Sequence, residues 1–295
     1  MCMKHVTLFV LVTLSVASAP AWSADNDVDA LLDQASKAFG AGRHEVALKL
    51  ADQAIQADPN ELKSYVVRGM MLESVTRFEP AIRDYSRAIE LDPGAADVYD
   101  RRGGAHFKRG DIDASIRDFD KAIALAPARA PYHWQRGISY YYADRFEDGR
   151  KQFELHQSVN PNDVENAVWH FLCAARSIGV EKARAVILPI RGDRRVPMME
   201  VYALFKGTGT IDQVMAAARA GDPPPEIARR QLFYAHLYLG LYHEATGNTR
   251  RAREHITRAA RDYADRHYMG DVARVHLQQL DKVRPKESTD PDSRR

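Results

Sequence analysis

Four prolines divide the chain at equal intervals. Pro59, Pro93, Pro127 and Pro161, set in Asp58-Pro59-Asn60, Asp92-Pro93-Gly94, Ala126-Pro127-Ala128 and Asn160-Pro161-Asn162, each stand 34 residues from the next. A proline ring clashes with the preceding turn of a helix and lacks an N–H, so helices end at or before the residue ahead of it. The spacing therefore predicts helical units of one length, placed end to end. A fixed period of about 20 to 50 residues marks a repeat architecture, in which each unit buries its apolar face only against its neighbours.

Other positions repeat in step. With units beginning at Val28, Leu62, Ala96 and Ala130, the eighth position holds Ala35, Gly69, Gly103 and Gly137, where a small residue lets two helices approach closely. The twentieth holds Ala47, Ala81, Ser115 and Gly149, all small, and the twenty-fourth Ala51, Tyr85, Phe119 and Phe153, mostly large and apolar. Small residues facing large ones at helical spacing predict helix-on-helix packing. The twenty-seventh position gives Ala54, Ala88 and Ala122 and departs at His156.

"SYVVRGMMLESVTRFEPAIRDYSRAIELDP" (Ser64–Pro93) and its neighbours resemble tetratricopeptide repeats, whose unit is a helix-turn-helix of about 34 residues. The resemblance implies an all-α, right-handed superhelical solenoid of helical hairpins over residues 25–282. Repeats are expected at 28–61, 62–95, 96–129 and 130–163. A degenerate stretch, 164–232, contains "VENAVWHFLCAARSIG", "VEKARAVILPI", "MMEVYALFKG" and "TIDQVMAAARAG" and closes at Asp222-Pro223-Pro224-Pro225. The pattern returns at 233–266, where Gly240, Ala252 and Ala259 fall at the eighth, twentieth and twenty-seventh positions. An amphipathic helix over 268–282 is expected to cap the apolar end of the stack.

The two ends stand outside this array. Residues 1–24 carry Lys4, an apolar run from Val6 to Val16 and the small-residue region "ASAPAWSA", the layout of a secretory signal peptide. The run is too short to span a bilayer. Cleavage near Ser23 or Ala24 would deliver the chain to the periplasm or outside the cell, without stable membrane insertion. No cysteine follows the run to serve as a lipid-attachment site. Residues 283–295 are polar and aperiodic, a composition that predicts disorder. Net charge is a formal +2, which leaves no basic face for nucleic acid. The densest basic cluster, "RGDRRV" (Arg191–Val196), reads as a solvated loop. With Cys2 removed, Cys173 alone remains and no intrachain disulfide can form.

Catalytic signals are sparse. His170 and Cys173 lie three apart on one helical face, a spacing a metal or a nucleophile–base pair could use; a buried cysteine beside a packed histidine is the plainer reading. His236, His243, His255 and His267 do not take the His-Glu-x-x-His form that aims two nitrogens at zinc. No phosphate loop or nucleophile elbow is present. The expectation is a non-enzyme with no cofactor and no metal.

What remains is a surface. In the repeat family the first helix of each unit lines the concave side, with positions two, five, nine, twelve and thirteen projecting into it. The resemblance then implies a groove presenting Lys63, Val66, Met70 and Glu73, then Asp97, Asp100, Gly104, Phe107 and Lys108, then Trp134, Ile138, Tyr141 and Tyr142. Rigid aromatics beside lysine suit a protein or peptide partner. Val66 and Met70 stand where chaperone-binding relatives carry a carboxylate clamp, so a cytosolic chaperone does not fit. Over the mature chain the order of regular repeats, "VPMMEVYALFKG" and "FYAHLYLGLYHEATGNTRRAREHITRAA" resembles the NlpI-type envelope lipoproteins, dimeric adaptors that bring murein hydrolases to a periplasmic protease. That likeness implies a homodimeric scaffold in the cell envelope; assembly of a secretion or pilus complex is the alternative.

Overall fold

The computed structural model describes residues 27–282; the expected export segment 1–24 and the tail 283–295 lie outside them. The described chain is helical with no strand. Three regular hairpins come first: α1 (Val28–Gly40) with α2 (His44–Ala57), α3 (Leu62–Ser74) with α4 (Phe78–Leu91), and α5 (Ala96–Arg109) with α6 (Ile112–Leu125). After a 3-10 turn, Pro127–Tyr132, come α7 (Trp134–Tyr142) and α8 (Phe146–Gln157). Next are α9 (Val164–Ile178), α10 (Val180–Val186), α11 (Met198–Lys206) and α12 (Ile211–Arg219). The series closes with α13 (Pro225–Ala245), α14 (Thr249–Thr257), a π turn at Arg258–Asp262, and α15 (Tyr268–Lys282).

The turn inside each hairpin is set at the unit's fifteenth position. Gly42, Thr76, Gly110, Asp144 and Gly247 all take positive φ, between 55° and 94°. The following N–H reaches back to the carbonyl five residues earlier: Arg77 to Leu72 at 2.8 Å, Asp111 to His106 at 2.9 Å, Asn248 to His243 at 2.7 Å. That is the Schellman closure, which satisfies a carbonyl the helix end leaves free. Glycine adopts it without strain at three of the five sites.

Packing within a hairpin follows from the eighth and twenty-fourth positions. A Cβ built on Gly69, Gly103, Gly137 or Gly240 would lie 2.7, 2.9, 2.7 or 2.6 Å from Tyr85, Phe119, Phe153 or Ile256. Those four side chains are fully buried. A second ladder joins hairpin to hairpin. The Arg68 guanidinium donates twice to Asp84 (2.8 and 2.6 Å) and once to Asp52 of the preceding unit (2.7 Å). Arg102 does the same to Asp118 (2.8 and 2.7 Å) and Ser86 (3.0 Å), and Arg136 to Gln152 (3.1 Å) and Asp120 (3.0 Å).

Departures from the regular series have local causes. In the fourth unit Pro127 and Pro131 hold a 3-10 turn, and the first helix starts only at Trp134. "VEKARAVILPI" is helical only to Val186, since Pro189 disfavours helix in the residues just before it. Conversely α13 begins at Pro225, at N1 where a missing N–H costs nothing, and runs for 21 residues. Buried apolar side chains form two main clusters that meet at α5: Val98 and Ala105 belong to the N-terminal one, Phe107 to the larger one reaching Leu280. Among the described residues no helix is long and apolar enough to cross a membrane.

Candidate partner-binding groove

The first helices α3, α5 and α7 present their concave positions along one surface, but the surface is not uniform. Its N-terminal part is open. Lys63 is exposed and ion-paired to Asp29 at 2.6 Å, Met70 is exposed, and Val66 is half-buried. At Gly104 no atom lies within 4 Å of a built Cβ, so that position also faces free space. Asp97 is held by Arg129, and half-buried Asp100 sits 3.5 Å from the His133 ring.

Its C-terminal part is covered by the chain itself. The sequence places α15 over the end of the stack; in the structure it packs on α14 and also reaches α5. The Tyr268 ring stacks on Phe107 at 5.3 Å and meets Trp134 edge-on at 5.0 Å. The Tyr142 hydroxyl lies 2.9 Å from His276 Nδ1. Arg274 donates to the Lys108 carbonyl at 2.6 Å and lies over the Phe78 ring at 5.2 Å. Lys108 Nζ lies 2.7 Å from Glu73 and 3.6 Å from Asp271. Of the expected groove residues, Phe107, Ile138 and Tyr141 are therefore buried and Trp134, Tyr142 and Lys108 are half-buried against α15, whereas Lys63, Val66, Met70, Asp97, Asp100 and Gly104 border open space. The expectation of an exposed aromatic end is corrected on this point: large apolar rings on a concave face are filled by the nearest amphipathic helix, and α15 is that helix.

Sequence reasoning missed Asp271, Arg274 and His276, whose contacts lie more than 130 residues away and follow no repeat. It also took Arg191–Val196 for a solvated loop. Arg195 instead joins Asp163, Glu165 and Asp193, each at 2.6 Å.

His170 and Cys173, the candidate catalytic residues, are both buried on α9. Burial pushes the Cys173 thiol well above its ordinary pKa. Burial likewise lowers His170, whose Nε2 lies 3.4 Å from Glu154. His236 and His255 face each other, Nδ1 to Nδ1 at 2.9 Å, with the His243 ring 5.4 Å from His255. Among the described residues no three His, Cys, Asp or Glu side chains are placed to hold a metal ion.

Residues 73–130 match the tetratricopeptide repeat family. The fold is similar to that of a tetratricopeptide repeat protein from Parabacteroides merdae, at 12% identity and a TM-score of 0.56, over 86% of this chain and 98% of that one. It is also similar to the MamA protein, at 18% identity and a TM-score of 0.51, over 67% of this chain and 98% of that one. A segment of MamA from Desulfovibrio magneticus matches at 16% identity and 0.51, over 56% and 92%. At these identities the likeness is one of fold. The chain matches none of the curated proteins by sequence.

Proposed function

We propose that the chain, whose residues 73–130 match the tetratricopeptide repeat family and whose fold is that of a helical-hairpin solenoid, works without catalysis, as a scaffold holding a segment of another protein in its concave groove. The observation that carries this reading is the seating of α15. A 15-residue amphipathic helix of this chain already lies on the concave side, anchored by a tyrosine, an arginine and a histidine. The surface continues past it to exposed Lys63 and Met70 and half-buried Val66. A helix or extended peptide with an apolar stripe and flanking charge would continue α15's mode of docking.

The finer reading is an envelope adaptor, working after export and joining peptidoglycan hydrolases to a protease, with the chain acting as a homodimer. It is supported by the leader-like pattern of residues 1–24 and by the order of regular and degenerate repeats. Two measurements test it. Fusing residues 1–24 to a reporter active only after export should give activity; an inactive fusion overturns the location. For the groove, a Lys63→Glu/Met70→Glu variant, altered only at exposed side chains, should lose the prey that the parent retains from a periplasmic extract while keeping its melting temperature. Equal recovery of the same prey by a folded variant would remove the groove from consideration.

A further inference from the structure

Beside the groove, a cavity of about 300 Å³ opens among α7, α9, α13 and the start of α15. Trp134, Trp169, Tyr234 and Tyr268 form its aromatic wall, and Glu165 and Asn166 its polar one. Two deeply buried groups on this wall lack partners. Asn166 is 3% exposed; its Nδ2 donates to the Phe153 carbonyl at 3.0 Å and to Gln157 Oε1 at 3.1 Å. Because a carbonyl oxygen can only accept, the amide orientation is fixed, and Oδ1 is left without a donor. Trp169 is 1% exposed, and its Nε1–H has no acceptor. A buried polar group left unmatched is costly, so this wall favours an occupant that carries both an N–H and an acceptor.

Charge decides the sign of that occupant. One guanidinium, Arg195, serves three carboxylates, those of Asp163, Glu165 and Asp193, and its side-chain nitrogens are all engaged with them. An anion would find the guanidinium committed and two carboxylates uncompensated. A cation would find carboxylate oxygens, and aromatic faces that attract positive charge.

We propose that this cavity binds a primary ammonium group, presented by a small free amine or by a lysine side chain of a partner. Glu165 and Asp163 supply the negative field, Asn166 Oδ1 accepts one N–H, and Trp169 Nε1–H donates to the hydroxyl of a small amino alcohol or to a carbonyl of the chain that brings the lysine. The site is distinct from the open end of the groove and does not depend on which protein occupies it.

The chain has three tryptophans, Trp22, Trp134 and Trp169, and two of them line the cavity; intrinsic fluorescence of the full chain is therefore a direct probe. Ethanolamine and Nα-acetyl-lysine N-methylamide are titrated at pH 8, with sodium acetate as the anionic control at matched ionic strength. A saturable fluorescence change with at least one amine and none with acetate is expected, and whichever amine binds identifies the source. Glu165→Gln, with its circular dichroism compared with the parent, should weaken binding at least about tenfold. The parent provides a readout that needs no variant. Burial pushes the Glu165 carboxyl up to about 7 against the pull of Arg195. His156 on α8, Asp163 before α9 and Glu165 on it, Asp193 and Arg195 before α11, Tyr234 and Tyr238 on α13, His267 before α15 and Tyr268 at its start are the groups facing the site, and burial lowers the pKa of His267. Amine affinity should thus fall between pH 8 and pH 6. Absence of a saturable response to both amines, an equal response to acetate, or an affinity that ignores both Glu165→Gln and pH would overturn the proposal.

Discussion

The Tyr142 hydroxyl and His276 Nδ1 lie 2.9 Å apart across 134 residues of chain. On its other side the imidazole Nε2 is 2.9 Å from Glu244 Oε2. That carboxylate contact lacks hydrogen-bond alignment, so the directed bond of the ring is the one to the Tyr142 hydroxyl. One ring of α15 thereby connects α7 to α13. A neutral hydrogen bond of this kind contributes about 1 kcal/mol net. Tyr142→Phe keeps the ring and removes the hydroxyl, so it should lower global stability by roughly that amount and speed amide exchange selectively in 268–282. Exchange in α15 unchanged from the parent would show that the contact does not hold the helix down.

The histidine pair near the C-terminal end gives the molecule an acid-sensitive element. His236 and His255 are both pushed down to about 4, by burial first and next by a nearby imidazole, that of His255 for His236 and that of His243 for His255. In the unfolded chain each has a pKa near 6.5. Between pH 6.5 and pH 4 the unfolded state therefore binds more protons than the folded one. Stability is full above about 6.5 and declines as pH falls toward 4, by on the order of 2 kcal/mol for the pair after allowing for solvent. Urea midpoints across this window measure the slope. A His236→Phe/His255→Leu variant should flatten it, and an unchanged slope would assign the acid sensitivity to other groups.

Adjacent glycines on α5 should respond in opposite directions. A Cβ on Gly103 would lie 2.9 Å from the buried Phe119 ring, whereas one on Gly104 meets nothing within 4 Å. Gly103→Ala forces α5 and α6 apart and should cost about 1–3 kcal/mol. Gly104→Ala should gain about 0.5–1 kcal/mol, since alanine loses less backbone entropy in a helix. Two thermal melts decide it: equal shifts of the same sign would mean that α5 does not approach α6 as closely as described.

These glycines also show what the sequence could reveal. The hairpins were legible because every unit solves one local packing problem with the same residues at the same interval, so Gly69, Gly103 and Gly137 announce their partners sixteen residues on. The Arg68, Arg102 and Arg136 ladder repeats at the same interval and was equally available. It escaped notice because an arginine pattern reads as solvent-facing until a buried acceptor is seen opposite. The covered end of the groove was not legible. Phe107, Trp134 and Tyr142 meet Tyr268 and His276 only once the stack has curved, and curvature comes from the sum of small rotations between units rather than from any residue pattern. The cavity at Glu165 is hidden for the same reason: its walls come from α7, α8, α9, α13 and the start of α15, with Arg195 from an irregular stretch.

The arginine ladder supplies the strongest test of how the units are joined. Asp118 is 8% exposed in its side chain and receives two bonds from Arg102. The pair gains little over an apolar replacement, because both charges are drawn out of water to form it, but losing one partner strands the other. Arg102→Leu alone should therefore cost about 3 kcal/mol, and Arg102→Leu/Asp118→Leu should recover most of that loss. The third donor of Arg102 goes to Ser86, which is uncharged, and the other basic group beside Asp118 is the His106 ring, its Nε2 3.8 Å from Asp118 Oδ2. Chemical denaturation of the two single variants and the double variant completes the cycle. Single losses that merely add in the double variant would mean that the carboxylate finds another cation, and that neighbouring hairpins are held by their apolar contacts alone.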